Sequence, residues 1–500
     1  MSMAALNFPD DVRRKQDLLK IDIQLRDAKD LLITCPPLSG LTAFLKQIKK
    51  YIYVSEHFKC FTVLFYDCQV QNASNNIIEG LIDCVNSEIP HNDPGNGQPI
   101  KKKQNLFDFF TSITTEDEMQ KRVVVIDNLD KISEKEAGLL LENIRVIAEY
   151  RNRNQYLRNV LFVLAGHSLD LRRLDPKHSS PFNTATQIYL DDLPIDDSVS
   201  LIKEFLADKK YSPLVPNYID YLTFGHPYLI RQICYYVTRE EVQIGLSGEI
   251  KFEAVDSVVE TICNDKREQV FKQIDNTIKQ RSPQAMETLE RILNGFVYKS
   301  VKSSDSLREL KLCGLINNNR NNKWHIRNNV FDFYLRSLGN WSQVSKITNF
   351  IPRRLFVNLE GYKILFDLEN NLREFVIAQL FDAFGDNWQR VIEQNSNISG
   401  MVKNWKKMQQ KDMSSSWLSH DDIPSLAFGS FPEIKKIIYE YWGGVFDKYF
   451  QPKTIFEGSF ESLEILRNKI AHNRPLSDKD VETLSSITKQ FNDCMFENHL

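Results

Sequence analysis

Long apolar runs are missing from this 500-residue sequence: no stretch approaches the roughly 18 residues that span a bilayer, so no membrane-embedded segment is expected. The opening residues, MSMAALNFPDDVRRKQDLLK, turn charged after a handful of positions, unlike the apolar region of a secretory leader. Charge of one sign is also missing. Lys and Arg number 63 against 66 Asp and Glu, a net −3, so no global field would hold the chain on nucleic acid, and any such contact needs a local patch. The eight cysteines include no C-x-x-C pair and no histidines at zinc-ligand spacing, so no metal site is expected. They read as reduced thiols, mostly small core residues, of a cytoplasmic protein.

The rest is ordinary for a folded chain: 42% hydrophobic, 11% aromatic and 26% charged residues argue against large-scale disorder. The length exceeds one hydrophobic core and predicts about three or four domains. Over residues 1–195, continuous β-branched runs alternate with helical stretches: DLLIT (30–34), FTVLFYDC (61–68), RVVVIDNLD (122–130), NVLFVLAG (159–166) and QIYLDDL (187–193). Runs without alternation mean strands covered on both faces, the pattern of a parallel α/β sheet. Residues 89–104, with Pro, Gly, Asn and three consecutive lysines, read as a surface insertion. Amphipathic spacing in SVSLIKEFLADKK and PYLIRQICYYV predicts a helical lid over 196–282. At 283–345 two helical stretches lead to LKLCGLINNNRNNKWHIRNNVFDFYLRSL, in which a helix ending at glycine, a strand, an Asn-rich turn and a second strand describe a winged helix. Residues 350–500 lack strand signals and predict an all-α domain.

Two loops carry chemistry. After the first strand comes Cys35-Pro-Pro-Leu-Ser-Gly-Leu-Thr42, directly before the helical FLKQIKKYI. A phosphate-binding loop reads G-x-x-x-x-G-K-[ST] here, because backbone amides wrap phosphates at a helix N-terminus while the lysine reaches the outer phosphates and the hydroxyl holds magnesium. Gly40 and Thr42 keep their places, with Ser39 a further nucleotide-binding candidate between them and the prolines, but Cys35 stands for the first glycine and Leu41 for the lysine. Asp127 ends the third strand where a magnesium-binding aspartate lies, followed by Asn128 where many such enzymes carry a water-activating glutamate. A buried strand ending in an Asx turn is the plain alternative for Asp127 taken alone.

These features, with VLFVLAGHS (160–168), SPFN (180–183), FGHPYLIRQIC (224–234) and the winged-helix stretch in order, resemble the AAA-like branch of the STAND and archaeal ATPases. The resemblance implies a P-loop core, ATP or ADP as ligand, and adenine packing at Gly225, His226 and Pro227. Proline at a helix start is the plain alternative for Pro227. With Leu41 and Asn128 in place, efficient hydrolysis is not expected, and Mg2+ remains open.

In the C-terminal part, LEILRNKIAHNRPLSDKDVETL contains Arg467, Asn468 and His472. This R-x4-H, with the upstream LENNLREFVIAQLFDAFGDNW, resembles the HEPN superfamily, whose helical bundles dimerise and cut RNA. The resemblance implies an RNA substrate, a homodimer or higher oligomer, and metal-independent cleavage. Histidine titrates near neutral pH and moves protons, while arginine holds phosphate charge. A helix C-terminus capped by His472 and stopped by Pro475 is the plain alternative. Lys403, Lys406, Lys407 and Lys411, beside Trp405, form a candidate RNA stripe.

The leading expectation is thus a defence-type or toxin-type ribonuclease regulated by a degenerate ATPase-like module, acting alone or with a partner protein that supplies sensing or ATPase activity. Two alternatives stand beside it: a non-enzymatic adaptor, and a DNA-binding assembly factor whose basic patch would be Arg320, Lys323 and Arg327.

Overall fold

The computed structural model describes residues 14–69, 76–88, 105–113, 121–151, 153–154, 157–168, 186–239, 249–265, 268–296, 305–318, 323–338, 352–413 and 425–497. The insertion at 89–104, SPFN at 180–183 and Arg320 lie outside them. The chain divides into two units, Met1–Phe350 and Ile351–Leu500.

Five strands build the first unit: β1 (Leu31–Cys35), β2 (Phe61–Asp67), β3 (Lys121–Asp127), β4 (Val160–His167) and β5 (Thr186–Tyr189). They form one parallel sheet in the order β2-β3-β4-β1-β5. The helices α1 (Lys15–Arg26), α2 (Leu41–Val54), α3 (Ile77–Glu88), α4 (Leu106–Ile113) and α5 (Glu134–Tyr150) flank it. The period of two along each strand divides the core. Leu31, Ile33, Val63, Val123, Val125 and Val163 pack with α1 and α2. Leu32, Leu64, Val124, Ile126, Phe162 and Leu164 pack with α3, α4 and α5. A strand buried on both faces has no polar side to alternate with, which is why these segments read as continuous apolar runs. Strand β5 stops at Tyr189, short of the expected 193, because Asp191 and Asp192 leave the ladder for partners described below.

The helices α6 (Ile195–Phe205), α7 (Val215–Thr223), α8 (Pro227–Val237), α9 (Phe252–Asn264) and α10 (Gln269–Lys279) follow, with a small parallel ribbon of β6 (Lys210–Tyr211) and β7 (Glu249–Ile250). Next come α11 (Pro283–Leu293), α12 (Asp305–Leu312), the antiparallel ribbon β8 (Ile316–Asn317) and β9 (His325–Ile326), and α13 (Asn329–Ser337).

The second unit is helical throughout its described residues: α14 (Pro352–Phe384), α15 (Trp388–Gln394), α16 (Ser399–Met413), α17 (Phe431–Glu440), α18 (Lys453–Ala471) and α19 (Asp478–Asn492). The 33-residue α14 buries Leu365, Leu368, Leu372, Phe375, Val376 and Leu380 on one stripe. Rings of Phe450, Phe456, Phe460 and Phe491 meet edge-on or tilted at its centre. No helix among the described residues is long and apolar enough to cross a membrane, and all eight cysteines are free thiols.

One glycine ties the α6–α8 helices to the sheet. Gly225 sits at φ +78°, and its carbonyl accepts from the Leu193 amide at 2.9 Å. A Cβ there would lie 2.1 Å from the Leu193 carbonyl oxygen. Replacing Gly225 by Ala combines that backbone clash with left-handed strain and is expected to cost about 1–3 kcal/mol. The check is a denaturation midpoint against wild type, with Gly138→Ala as the control, since nothing lies within 4 Å of its Cβ position.

Candidate functional site

In the first unit the loop between β1 and α2 turns on two left-handed residues, Leu38 (φ 61°) and Gly40 (φ 80°), before α2 begins at Leu41. Strand β4 lies between β1 and β3, so the loop and Asp127 approach each other across one strand at the sheet's carboxyl edge. There Thr42 Oγ1 donates to Asp127 Oδ2 at 2.9 Å. Burial pushes the Asp127 carboxyl up from its ordinary range, opposed by that hydroxyl and by the Asn128 amide, which donates to Oδ1 at 2.7 Å. Asn128 is itself left-handed and donates through Nδ2 to Asp67 Oδ1 at 2.9 Å. His167, ending β4, faces Cys35 Sγ at 3.4 Å and the Pro36 carbonyl at 3.3 Å. Burial lifts the Cys35 thiol to about 12, so it stays protonated.

Two arginines grip the loop from outside. Arg327, on the chain leaving β9, is 3% exposed. It forms a fork with Asp192, Nε to Oδ2 at 2.8 Å and Nη2 to Oδ1 at 2.6 Å. The same guanidinium donates to Ser39 Oγ at 2.6 Å and to the Pro37 carbonyl at 3.4 Å. Arg14 donates to the Ser39 carbonyl at 3.1 Å and to the Asp191 carbonyl. The turn at Gly314 packs onto Pro36, and Ser168 Oγ donates to the Leu312 carbonyl at 2.8 Å. The segment from α12 to α13 therefore closes over the loop. Beside it a cleft of about 710 Å³ is lined by Gln16, Asp191, Asp192, Phe224, His325 and Arg327 among others. This corrects the DNA-patch expectation for Arg327, which is buried and paired instead of facing solvent.

Pro227, at the start of α8, lies 3.7 Å from the Cβ position of Gly40. His226 caps α8 and is fully buried, with its ring edge-on to Phe331 and no partner for Nε2. Burial, aided by Arg327, depresses it to about 3. The loop conformation and the Thr42–Asp127 pair suit phosphate and a hydrated divalent cation. Leu41 brings no charge to the outer phosphates.

In the second unit, α18 buries Phe456, Phe460, Leu463 and Leu466 and ends with His472 as its C-cap. Asn473 takes φ 50°, its amide donates to the Ile470 carbonyl at 3.0 Å, and the Arg474 amide donates to the Lys469 carbonyl at 2.8 Å. This closing turn satisfies the helix's last carbonyls. It is pinned from α14, where Asn358 Oδ1 accepts from the Leu476 amide at 2.9 Å and Leu476 packs at Gly361. Lys469 clamps Asp480 of α19 at 2.8 and 2.9 Å. His472 is thus exposed on a fixed turn. Arg467 is 31% exposed; its Nη1 donates to Asn468 Oδ1 at 3.4 Å, and its Nε faces Glu369 Oε1 at 4.0 Å. The Asn468 amide oxygen accepts from Arg467.

The lysine stripe needs a correction. Lys403, Lys406, Lys407 and Lys411 are exposed on α16, but Trp405 is 2% exposed and donates through Nε1 to Glu433 Oε2 at 3.1 Å. A tryptophan inside the bundle core cannot stack on a base. Lys406 is paired with Glu393 at 2.5 Å.

Residues 96–337 match the family model of an AAA-like domain, and residues 363–492 match that of a Swt1-like HEPN. The chain joins an AAA-like domain to a Swt1-like HEPN domain. The AAA-like match begins downstream of the Cys35–Thr42 loop, and the HEPN match encloses Arg467, Asn468 and His472. No curated protein matches the chain. Among solved structures it is similar to Aeropyrum pernix ORC2 in its ADP form, at 11% identity over 67% of this chain and 97% of that one, TM-score 0.40. It is also similar to a point variant of Thermotoga maritima RuvB, at 14% identity over 63% and 91%, TM-score 0.34. Pyrobaculum aerophilum CDC6P follows at 13% over 66% and 94%, TM-score 0.33. Likeness at that level is too low to bear on function.

Sequence reasoning missed Arg14, Asp192 and Glu369 and misassigned Arg327. Each is recognisable only through a partner far away in the chain, so no local spacing marks it.

Two outcomes follow for the AAA-like domain. Removing Arg327 leaves Asp192 buried without its counter-charge, so Arg327→Ala is expected to lose about 3–5 kcal/mol in equilibrium unfolding. His226, held neutral in the fold, takes up a proton more readily once unfolded. Stability therefore falls as pH drops from about 6.5 toward 3. Between pH 7 and 4.5 the wild type is expected to lose about 2 kcal/mol more than His226→Phe, read from denaturation curves at both values.

Proposed function

We propose that this protein is a regulated, metal-independent endoribonuclease of defence or toxin type, in which the HEPN domain cuts RNA and the AAA-like domain controls its assembly. The observation that carries the reading is the Swt1-like HEPN match enclosing an R-x4-H whose histidine stands exposed on a pinned turn. HEPN domains act on RNA and often dimerise, and a homodimer would let Arg467 of one chain serve His472 of another. Five positions apart on one helix, the two residues point about 140° away from each other.

His472 moves the protons. A ribose 2′-oxygen attacks the adjacent phosphorus, the bond to the 5′-oxygen breaks, and imidazole takes up the 2′ proton or supplies the one the leaving oxygen needs. Arg467 holds the phosphate oxygens as charge gathers on them. The products are a 2′,3′-cyclic phosphate and a 5′-hydroxyl. The four α16 lysines contribute charge alone to RNA binding.

In the AAA-like domain, Ser39, Gly40 and Thr42 would hold the phosphates of ATP or ADP, with Asp127 and Thr42 at a magnesium ion and Pro227 against the base. The left-handed loop and the Thr42–Asp127 hydrogen bond support this. Leu41 and Asn128 leave the site without two groups that hydrolysis depends on, so the domain binds nucleotide as a state marker and turns it over poorly. We read the segment from α11 to α13 as a winged helix.

Incubating the full-length protein with total RNA in EDTA, beside His472→Ala, tests the reading. Cleavage by the wild type that leaves cyclic phosphates and 5′-hydroxyls, reduced at least about 100-fold in the variant, is the expected outcome. Equal cleavage by both proteins, or products with 5′-phosphates, would sink it.

A further inference from the structure

An arginine on a helix surface samples many rotamers, and ordering it carries a cost in side-chain entropy. Arg467 is bracketed on two sides. Its Nε faces Glu369 Oε1 at 4.0 Å, and its Nη1 donates to Asn468 Oδ1 at 3.4 Å. Glu369 comes from α14, far from the motif in sequence, and is only 17% exposed. Its carboxylate is fixed in turn, because Arg373 Nη2 donates to Glu369 Oε2 at 2.9 Å. Arg373 is anchored at Asn370 Oδ1, 2.9 Å, and at the Gly429 carbonyl, 3.2 and 3.3 Å. A polar chain therefore runs from the 425–430 turn through α14 to α18, with Arg467 at its solvent end.

We infer that Glu369 is a positioning residue: it orients the guanidinium of Arg467 so that its Nη2 edge is presented to the scissile phosphate. A guanidinium has five N–H donors in one plane. With Nε turned to Glu369 and one Nη1 hydrogen to Asn468, the outward edge keeps the pair of donors that a phosphate accepts side by side. The assignment rests on the ribonuclease reading above and adds a residue outside the R-x4-H motif.

The carboxylate has two opposing effects, and these make the role testable. Its negative charge weakens attraction of RNA to the site, while its fixed position aids the chemical step. Removing it is expected to lower kcat and KM together. A residue needed only for folding would instead lower the active fraction and leave KM as it was.

The experiment measures kcat and KM on one RNA oligonucleotide for wild type, Glu369→Ala, Glu369→Gln, Arg467→Ala and the Glu369→Ala/Arg467→Ala double variant. Melting curves report folding, and the near-isosteric Gln variant covers a folding failure of Ala. Glu369→Ala is expected to lose about 10- to 100-fold in kcat, Glu369→Gln to recover part of it, and the double variant to be no worse than Arg467→Ala. Cleavage that depends on His472 but is unaffected by Glu369→Ala overturns this assignment alone. So do losses that multiply in the double variant with a pH–rate profile missing its acidic limb, which would make Glu369 a proton-transferring group. Absence of cleavage by the wild type overturns the ribonuclease reading and this assignment together.

Discussion

The architecture of the first unit turns on a buried ion pair. Arg327 and Asp192, both nearly inaccessible to water, bring together the end of β5, the chain leaving β9 and the hydroxyl of Ser39 in the loop between β1 and α2. Two charges taken out of water are tolerable only when each satisfies the other and their remaining hydrogen-bonding capacity is used. The fork to Asp192 and the contacts to Ser39 and Pro37 meet that condition. Arg14 also holds the loop, donating to the backbone carbonyls of Ser39 and Asp191. The shape of the loop is therefore held by protein groups from three separate stretches of chain.

Much of this fold was legible in the sequence because burial on both faces erases polar alternation. The runs RVVVIDNLD and NVLFVLAG needed no partner information to be read as central strands, and the expected boundaries fell within a residue or two at most ends. The same reasoning overextended β5. The apolar letters of QIYLDDL continue past Tyr189, but the chain has already left the sheet for Asp191 and Asp192 to meet arginines that no local pattern announces. The strand order was not legible at all, since periodicity says nothing about which parallel strands are neighbours.

For the sites, the motif letters were visible and their surroundings were not. Trp405 looked like a stacking side chain because lysines stand beside it every three or four residues, yet that spacing equally describes the polar face of a helix whose other face is core. Buried tryptophan needs a partner for its indole N–H, and Glu433, 28 positions away, supplies it. Arg327 failed in the opposite direction. Among Asn and Arg residues it read as part of an exposed wing, and only Asp192, 135 positions earlier, reveals it as interior. Glu369 lay in a stretch already chosen for its resemblance, but its bearing on Arg467 depends on how two helices meet.

The closing turn of α18 is held across 118 positions of sequence, by the Asn358 side chain on the Leu476 amide. The geometry of the histidine is thus a tertiary property that a short excised peptide could not reproduce. Any loosening of the first turns of α14 would reach His472 without touching a letter of its motif, so inheritance of the R-x4-H signature and inheritance of its working shape are separable events in the history of such a chain.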